Sequence, residues 1–414
     1  MTETSMTNAA TSMSSDRSDR ASNRQAWSAV GAMSMCVGLL IASEFMPVSL
    51  LTPIAADLHA SSGMAGQAIS VSGLFAVPTS LLIASVVARW DRRHVLLGLT
   101  MTMLASLLLI AEAPSFPVLM VARALLGVTI GGFWALSTAT IMRLVTAPFV
   151  PRALGVLYTG NAVAVAFAAP IGSYMGGLIG WRGVFWALVP FVIINLVWQW
   201  YSLPSMPPDA GSGVGSTNAF KLLKRRNVAF AMLAVMLSFA GAFSTFTYLR
   251  PFLETRMDVT VTQLSLLLLG MGLAGFAGTY GASVLSGRFL YRLLAWLPLA
   301  LAVATLAFLA LAFVYLLWPA ALVLIIWGTL NAAMPVAWST WLSLGIADEP
   351  DAGGGLMVAA IQMAIMLGAA LGGLLLDHVS LSATWIGGAV LLLLASLAVG
   401  DGRHLRPPKN DIQH

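Results

Sequence analysis

Apolar runs long enough to cross a lipid bilayer follow one another almost from end to end of this 414-residue chain, and that feature excludes most folds. A hydrocarbon core of roughly 30 Å needs about 20 apolar residues per helix. Runs of that length, bounded by charge, Pro or Gly, lie near residues 27–51, 66–88, 94–113, 117–142, 153–179 and 183–203. They resume near 228–252, 263–287, 293–315, 319–345, 355–378 and 382–400. Only 9% of the residues are charged, against roughly 25% in an ordinary soluble domain, so lipid is the solvent this surface suits. The expectation is an all-α membrane protein with twelve transmembrane helices.

The cations indicate how those helices are threaded. With both termini in the cytoplasm, 17 of the 21 Lys and Arg fall on that side. They stand in the leading tail, at Arg89, Arg92 and Arg93, at Arg143 and Arg152, in the cluster Lys221, Lys224, Arg225 and Arg226, at Arg288 and Arg292, and at Arg403, Arg406 and Lys409. The outer side keeps Arg182 and Arg256, so the positive-inside rule puts both termini of a multi-pass protein in the cytoplasm. One loop, with Asp348, Glu349 and Asp351, runs against the trend, but acids weigh little in that rule. The net charge of +5 is scattered over short loops instead of gathered in one patch, which argues against a nucleic-acid partner.

Polar stretches divide the chain. Residues 1–26 are Ser/Thr-rich with no apolar h-region, and read as a disordered cytoplasmic tail and not a cleaved signal. A Pro/Gly/Ser-rich cytoplasmic linker, 204–227, separates a six-helix bundle at 27–203 from another at 228–401, and 402–414 is a second cytoplasmic tail. The halves resemble each other at a nearly constant offset. Gly127 answers to Gly328, Asn161 to Gln362, Gly172 to Gly373, and Ser137-Thr138 to Ser339-Thr340. Ordered coincidences of this kind predict two parallel six-helix pseudo-repeats with a central path between them. The single cysteine, Cys36, allows no intrachain disulfide.

Charge inside an apolar run is expensive and marks candidate functional sites. Glu44, in "GLLIASEFMPVSLL", is the carboxylate farthest from a helix end, with a buried structural acid as the competing reading. Arg123 lies about six residues, hence roughly 9 Å, inside the outer end of the fourth span, and Glu44 roughly 12 Å inside the first, at about 1.5 Å per residue. The two are therefore expected to approach each other, because a lone charge at that depth costs more than a hydrogen-bonded pair. A movement that changed their separation would load or release a proton. Arg250 sits near the outer end of the seventh span, where a mouth or gate role and a headgroup anchor both fit. Phe133, Trp134, Ser137 and Thr138 in one half, and Trp338 with Ser339 and Thr340 in the other, combine aromatic faces with hydroxyls. Such sets suit a flat, hydrogen-bonding solute such as a nucleoside, although these side chains also pack or bond to their own backbone. Asn161 and Gln362 are mid-span amides that need polar partners or a wet cavity. There is no Walker loop for ATP. His59, His94, His378, His404 and His414 are dispersed, so neither a metal site nor a Ser/His/Asp site is expected. A membrane-embedded enzyme or receptor would need a polar mid-membrane cluster or a sizeable soluble domain.

These segments resemble the major facilitator superfamily, and within it the drug:proton antiporter group that includes sugar-efflux transporters. The resemblance runs from about Trp27 to Asp401. Glu44 in "EFMPVSLLTPIAADL" matches the acidic motif of the first helix, and Arg123 the arginine of the fourth, which that resemblance implicates in proton transfer. Gly160 and "APIGSYMGGLIGWRGVF", with Pro170, Gly172 and Gly176, look like the antiporter motif, whose Gly and Pro let helices pack closely and kink. The loop "ASVVARWDRRHVLL" departs from the family's Gly-x-x-x-Asp-Arg-x-Gly-Arg-Arg. Ala84, Ala88 and Asp91 stand for the first Gly, the Asp and the second Gly, while Arg89, Arg92 and Arg93 remain. The resemblance therefore implies an inward gate held through other acids or helix C-termini. "GGFWALSTATIMRLV", "SFAGAFSTFTYLRPF" and "PVAWSTW" are most similar to purine ribonucleoside exporters. That implies a monomer in the bacterial inner membrane, exporting inosine- or guanosine-like nucleosides by alternating access, with the proton gradient as energy source and no cofactor. Sugar and multidrug exporters share the same architecture.

Overall fold

A computed structural model describes residues 3–208, 219–346 and 348–406, and every regular element among them is helical. The elements are α1 (Glu3–Ser49), α2 (Leu51–Asp57), α3 (Ser62–Val86), α4 (Arg92–Ala111), α5 (Phe116–Leu144), α6 (Val150–Ser202) and a short α7 (Ala219–Leu222). Then follow α8 (Arg226–Thr247), α9 (Leu249–Met257), α10 (Val261–Phe313), α11 (Leu317–Gly345), α12 (Pro350–His378) and α13 (Leu381–Val399). Among the described residues, ten helices have the length and apolarity to cross a bilayer. Two of them, α6 and α10, are 53 residues long and fold back on themselves. α6 turns at Gly180, whose φ of 73° lies in the left-handed region open to glycine. α10 turns at Phe289, where φ is −129° and ψ 25°. Each is two spans, which makes twelve.

The two halves repeat element by element. α5 and α11 are both 29 residues long, α1 then α2 is echoed by α8 then α9, and the two arms of α10 echo α3 and α4. Even the tight spots recur. A Cβ on Gly127 would collide with the Ser72 carbonyl of α3, and one on Gly328 with the Met271 carbonyl of α10. Packing inside the first half joins α1 to α6 and α3 to α5, and inside the second α10 to α11 and α8 to α12 and α13. Between the halves the main contacts are α3 with α12 and α6 with α10.

Solvent preference is inverted relative to a soluble fold. Arg123, Asn195 and Gln199 have no exposed surface, whereas Trp318, Leu397 and Val86 are exposed. Aromatic residues such as Trp90, Trp200, Trp296 and Tyr315 stand exposed near span ends, where amphipathic rings settle at headgroup level. Two expectations shift. α1 is helical from Glu3, within the segment expected to be disordered, and the side chains before residue 24 lie outside the described residues. The expected linker contains α7, and its stretch 209–218 lies outside them too, as does 407–414 of the trailing tail. The acidic loop that ran against the charge trend is held by one of the linker's cations. Arg225 grips Asp348 with two bonds of 2.9 and 2.6 Å and reaches Glu349 at 2.9 Å.

Candidate functional site

Pro47 stands within α1 and has no N–H to give the carbonyl four residues back, which belongs to Ser43. Arg123 supplies the missing donor. From α5 its Nη1 donates to the Ser43 carbonyl at 2.9 Å, its Nη2 to the Glu44 carbonyl at 3.3 Å, and its Nε to the Ala68 carbonyl of α3 at 2.9 Å. The guanidinium is thus locked in a cage of three backbone oxygens, with no surface exposed. Glu44 is 4% exposed, and the Arg123 guanidinium bonds to its backbone carbonyl. The expected approach is therefore present, but through the backbone. The Glu44 carboxylate faces the other half instead, where Gln362 Nε2 of α12 donates to its Oε1 at 3.5 Å.

The residue after the acid, Phe45, belongs to an aromatic cluster that sequence reasoning missed. Phe45 packs on Phe243 and Phe246 of α8 with centroids 5.6 and 6.3 Å apart, and Phe246 stacks on Trp327 of α11 at 6.3 Å and 11°. The cluster therefore joins both halves through Phe45. A second platform is formed where Trp134 of α5 stacks on Tyr158 of α6, at 5.7 Å and 30°. Tyr158 is about half exposed, and Asn161 follows one turn later, partly buried and without a hydrogen bond among the described residues. Asn331 on α11 is in the same condition. A mid-span amide was the available signal for Asn331, as it was for Asn161.

Three of the expected wall residues are not on a wall. Phe133 is wholly buried in the first half's core, Ser137 is 1% exposed with its hydroxyl turned back to the Phe133 carbonyl, and Trp338 is 1% exposed, edge-on to Trp341 in the second half's core. Thr138, one residue on, is exposed. A Trp-Ser-Thr pattern reads the same whether its helix turns toward a cavity or toward its own bundle, so only packing could separate these cases.

The expected gating residues divide by location. Asp91 caps α4, accepting from the Arg93 N–H at 2.8 Å, and also receives Ser205 Oγ at 2.5 Å and the Met206 N–H at 2.9 Å. Burial pushes its carboxyl up, but those three bonds outweigh burial and hold it below the ordinary aspartate value. The Arg92 N–H bonds to the Met206 carbonyl at 3.1 Å. Arg93 bonds to the Trp200 carbonyl at 2.6 Å, near the C-terminus of α6. Arg89 is exposed. The loop is thereby clamped to the last span of its own half and the start of the linker. Gly160 lets α6 pass against the Ser34 carbonyl of α1, and Gly172 and Gly176 face Met46, Ser49 and Leu50. Pro170 removes the donor to the Ala166 carbonyl, and that oxygen lies against Gly272 of the other half, too close to admit a Cβ.

Arg250 does not reach for headgroups. It is 8% exposed, pairs with Glu254 at 2.7 Å and donates to the Ser49 carbonyl of the opposite half. Glu254 accepts from Thr52 at 2.6 Å, Tyr248 donates to the Ala369 carbonyl at 2.7 Å and the Gly63 carbonyl at 3.4 Å, and Asp377 binds Ser61 Oγ and the Gly63 N–H at the start of α3. Among the described residues, every hydrogen bond between the halves lies from Glu44–Gln362 toward this far end, opposite the linker.

Comparisons with known proteins fit this architecture. The Major Facilitator Superfamily model matches residues 33–354. The chain is 48% identical over 375 residues to the transcription regulatory protein OpdE of Pseudomonas aeruginosa, covering 89% of this chain and 92% of that one. It is 40% identical over 389 residues to the purine ribonucleoside efflux pump NepI of Salmonella typhimurium, covering 93% and 96%. A crystal structure of a mutant of the nucleoside transporter NupG superposes with a TM-score of 0.73 at 14% identity, covering 90% of this chain and 98% of that one, a likeness of fold.

Proposed function

We propose, from the premise that this chain belongs to the Major Facilitator Superfamily and is a secondary active transporter, not an enzyme, that it exports purine ribonucleosides of the inosine and guanosine kind across the inner membrane in exchange for protons. One observation carries the reading. A buried acid, Glu44, lies between the two halves, backed by a caged guanidinium on its own side and by an amide on the other, and the next residue of α1, Phe45, packs on aromatic rings of the other half. The 40% identity with the Salmonella pump, over 93% of this chain, supports the substrate class.

An ionised carboxylate only accepts hydrogen bonds. Hypoxanthine and guanine carry an N–H on the six-membered ring where adenine has a bare nitrogen, and guanine adds its amino group. Either can donate to Glu44 while its flat face stacks on the Phe45, Phe243 and Phe246 cluster, and such stacking is worth about 1–3 kcal/mol per base. Gln362, Asn161 and Asn331 offer amides for the ribose. A proton on Glu44 removes its charge and turns one of its oxygens into a donor, so the acid holds a ring N–H far more weakly and proton and nucleoside compete. When the halves part at the far end, Gln362 leaves with its own half and Glu44 stays on the Arg123 cage. The acid then meets outside water, takes up a proton and releases its cargo. Return of the protonated form and loss of the proton to the cytoplasm complete the cycle.

The name of the Pseudomonas relative is compatible with transport. A carrier that lowers the internal level of an inducer changes transcription without touching DNA.

Inside-out proteoliposomes test the reading, with labelled inosine, adenosine and arabinose, a dye substrate, and an internal pH probe. Inosine is expected to exchange for protons, adenosine and arabinose far less, and Glu44→Gln to abolish the exchange. Inosine movement that continued unchanged in Glu44→Gln and after collapse of the proton gradient would remove the mechanism, and arabinose or dye outrunning inosine would remove the substrate.

A further inference from the structure

A cavity of about 590 Å³ opens at the linker-side end of the second half, between the turn of α10 and the chain just beyond α13. Tyr291, Arg292, Trp296, Asp401, Arg403 and Arg406 line it. It lies within one half and not between the two, so the transport path does not account for it.

Its charges are not balanced. Asp401 is the one acid on the wall, and it is committed to Arg403, with a 3.0 Å ion pair and a 3.0 Å bond from the Arg403 N–H. Arg406 lies over the Tyr291 ring at 5.0 Å. A stacked guanidinium uses its face and keeps its N–H edge for an acceptor. Arg292 is exposed and forms no ion pair among the described residues. Two fork-shaped donors thus line a space with no further protein anion among the described residues to receive them, and planar forks match phosphate oxygens well. Exposed aromatic residues accompany these charges, Trp296 on the wall itself and Phe289 two residues before Tyr291. Trp296 is 64% exposed and Phe289 49% exposed, and an exposed Trp near a span end marks headgroup level.

We propose that this cavity binds the phosphodiester headgroup of an anionic phospholipid, with Arg292 and Arg406 on the phosphate and the acyl chains lying along Trp296 and Phe289. Basic pockets between spans on the cytoplasmic side suit such headgroups in general. A free phosphate ester shares the headgroup chemistry but would leave the apolar wall uncovered.

The full chain, purified in detergent and stripped of lipid, provides the test, with binding of phosphatidylglycerol and phosphatidylcholine followed by native mass spectrometry. Phosphatidylglycerol is expected to bind preferentially, with affinity falling about fivefold for each arginine removed in Arg292→Gln and Arg406→Gln, and falling with added salt. The double Arg→Lys variant is expected to keep most of the binding, and Arg288→Gln, outside the cavity, all of it. Circular dichroism confirms that each variant is folded. Equal binding of phosphatidylcholine, or undiminished binding of phosphatidylglycerol by the folded double Gln variant, would overturn the proposal. Displacement of the lipid by equimolar glycerol 3-phosphate would overturn it as well, because the site would then be one for a soluble phosphate ester.

Discussion

At the scale of single residues, the Arg123 cage has the clearest energetic consequence. Removing the guanidinium leaves the Ser43 carbonyl, which Pro47 already deprives of its helical donor, with no partner, and takes the cation away from Glu44. Breaking a buried charged group away from its partners costs roughly 3–5 kcal/mol, so Arg123→Leu is expected to unfold at markedly lower temperature in detergent. Arg123→Lys is expected to recover only part of the loss, because an ammonium cannot reach three carbonyls in a planar fork. An unchanged melting curve for Arg123→Leu would mean that the cage does not hold the bundle together. Both Glu44 and Arg123 could be found from sequence, since a charge within an apolar run stands out on its own. Their partners could not. The carbonyls of Ser43, Glu44 and Ala68 belong to every residue type alike, and Gln362 becomes a partner only where α12 meets α1.

Elements depend on close approach and on their ends. The α3–α5 contact admits no side chain at Gly127, whereas Gly98 on α4 has open space around it. Gly127→Ala is expected to cost about 1–3 kcal/mol by overpacking, and Gly98→Ala to be neutral or stabilising by up to about 1 kcal/mol through helix propensity. Thermal unfolding of the pair, side by side, checks both, and equal effects would contradict the packing. The start of α4 depends on Asp91. Losing this cap in Asp91→Ala is expected to cost about 1 kcal/mol and to loosen the linker start at Ser205 and Met206. Because the bonds to Asp91 hold its carboxyl below the ordinary value, that contribution is present at all pH above the ordinary value and is lost as the pH falls through the lower folded one. The wild-type and Asp91→Ala unfolding midpoints should therefore differ at neutral pH and converge in acid. The spans themselves were legible to within a few residues, because hydropathy is a local property. The two double helices were not, since charges such as Arg288 and Arg292 end an apolar run equally well whether the chain at Phe289 forms a loop or a bent helix.

At the scale of the whole molecule, the far-end ties decide which side of the central path is shut. Tyr248 is buried and bonds across the halves, so Tyr248→Phe is expected to weaken closure by about 1 kcal/mol, or roughly fivefold in population. The exposed Asp377 contributes less. Spin labels at His59→Cys and Ser380→Cys, in a Cys36→Ala background, should report a larger fraction of long distances in Tyr248→Phe/Asp377→Asn than with neither change. An identical distribution would show that these bonds do not set the equilibrium. The sequence by itself determined the solvent, the number of spans, the twofold repeat and the presence of a costly acid in the first span, because each follows from how a residue partitions between lipid and water. Only the tertiary structure decided that Glu44 faces Gln362, 318 residues away, that Phe45 joins an aromatic cluster from the other half, that Arg250 ties the halves together, and that Trp338 faces its own core. Those outcomes depend on how two bundles dock, and a pattern of apolar and polar positions along one helix does not say which buried face meets which.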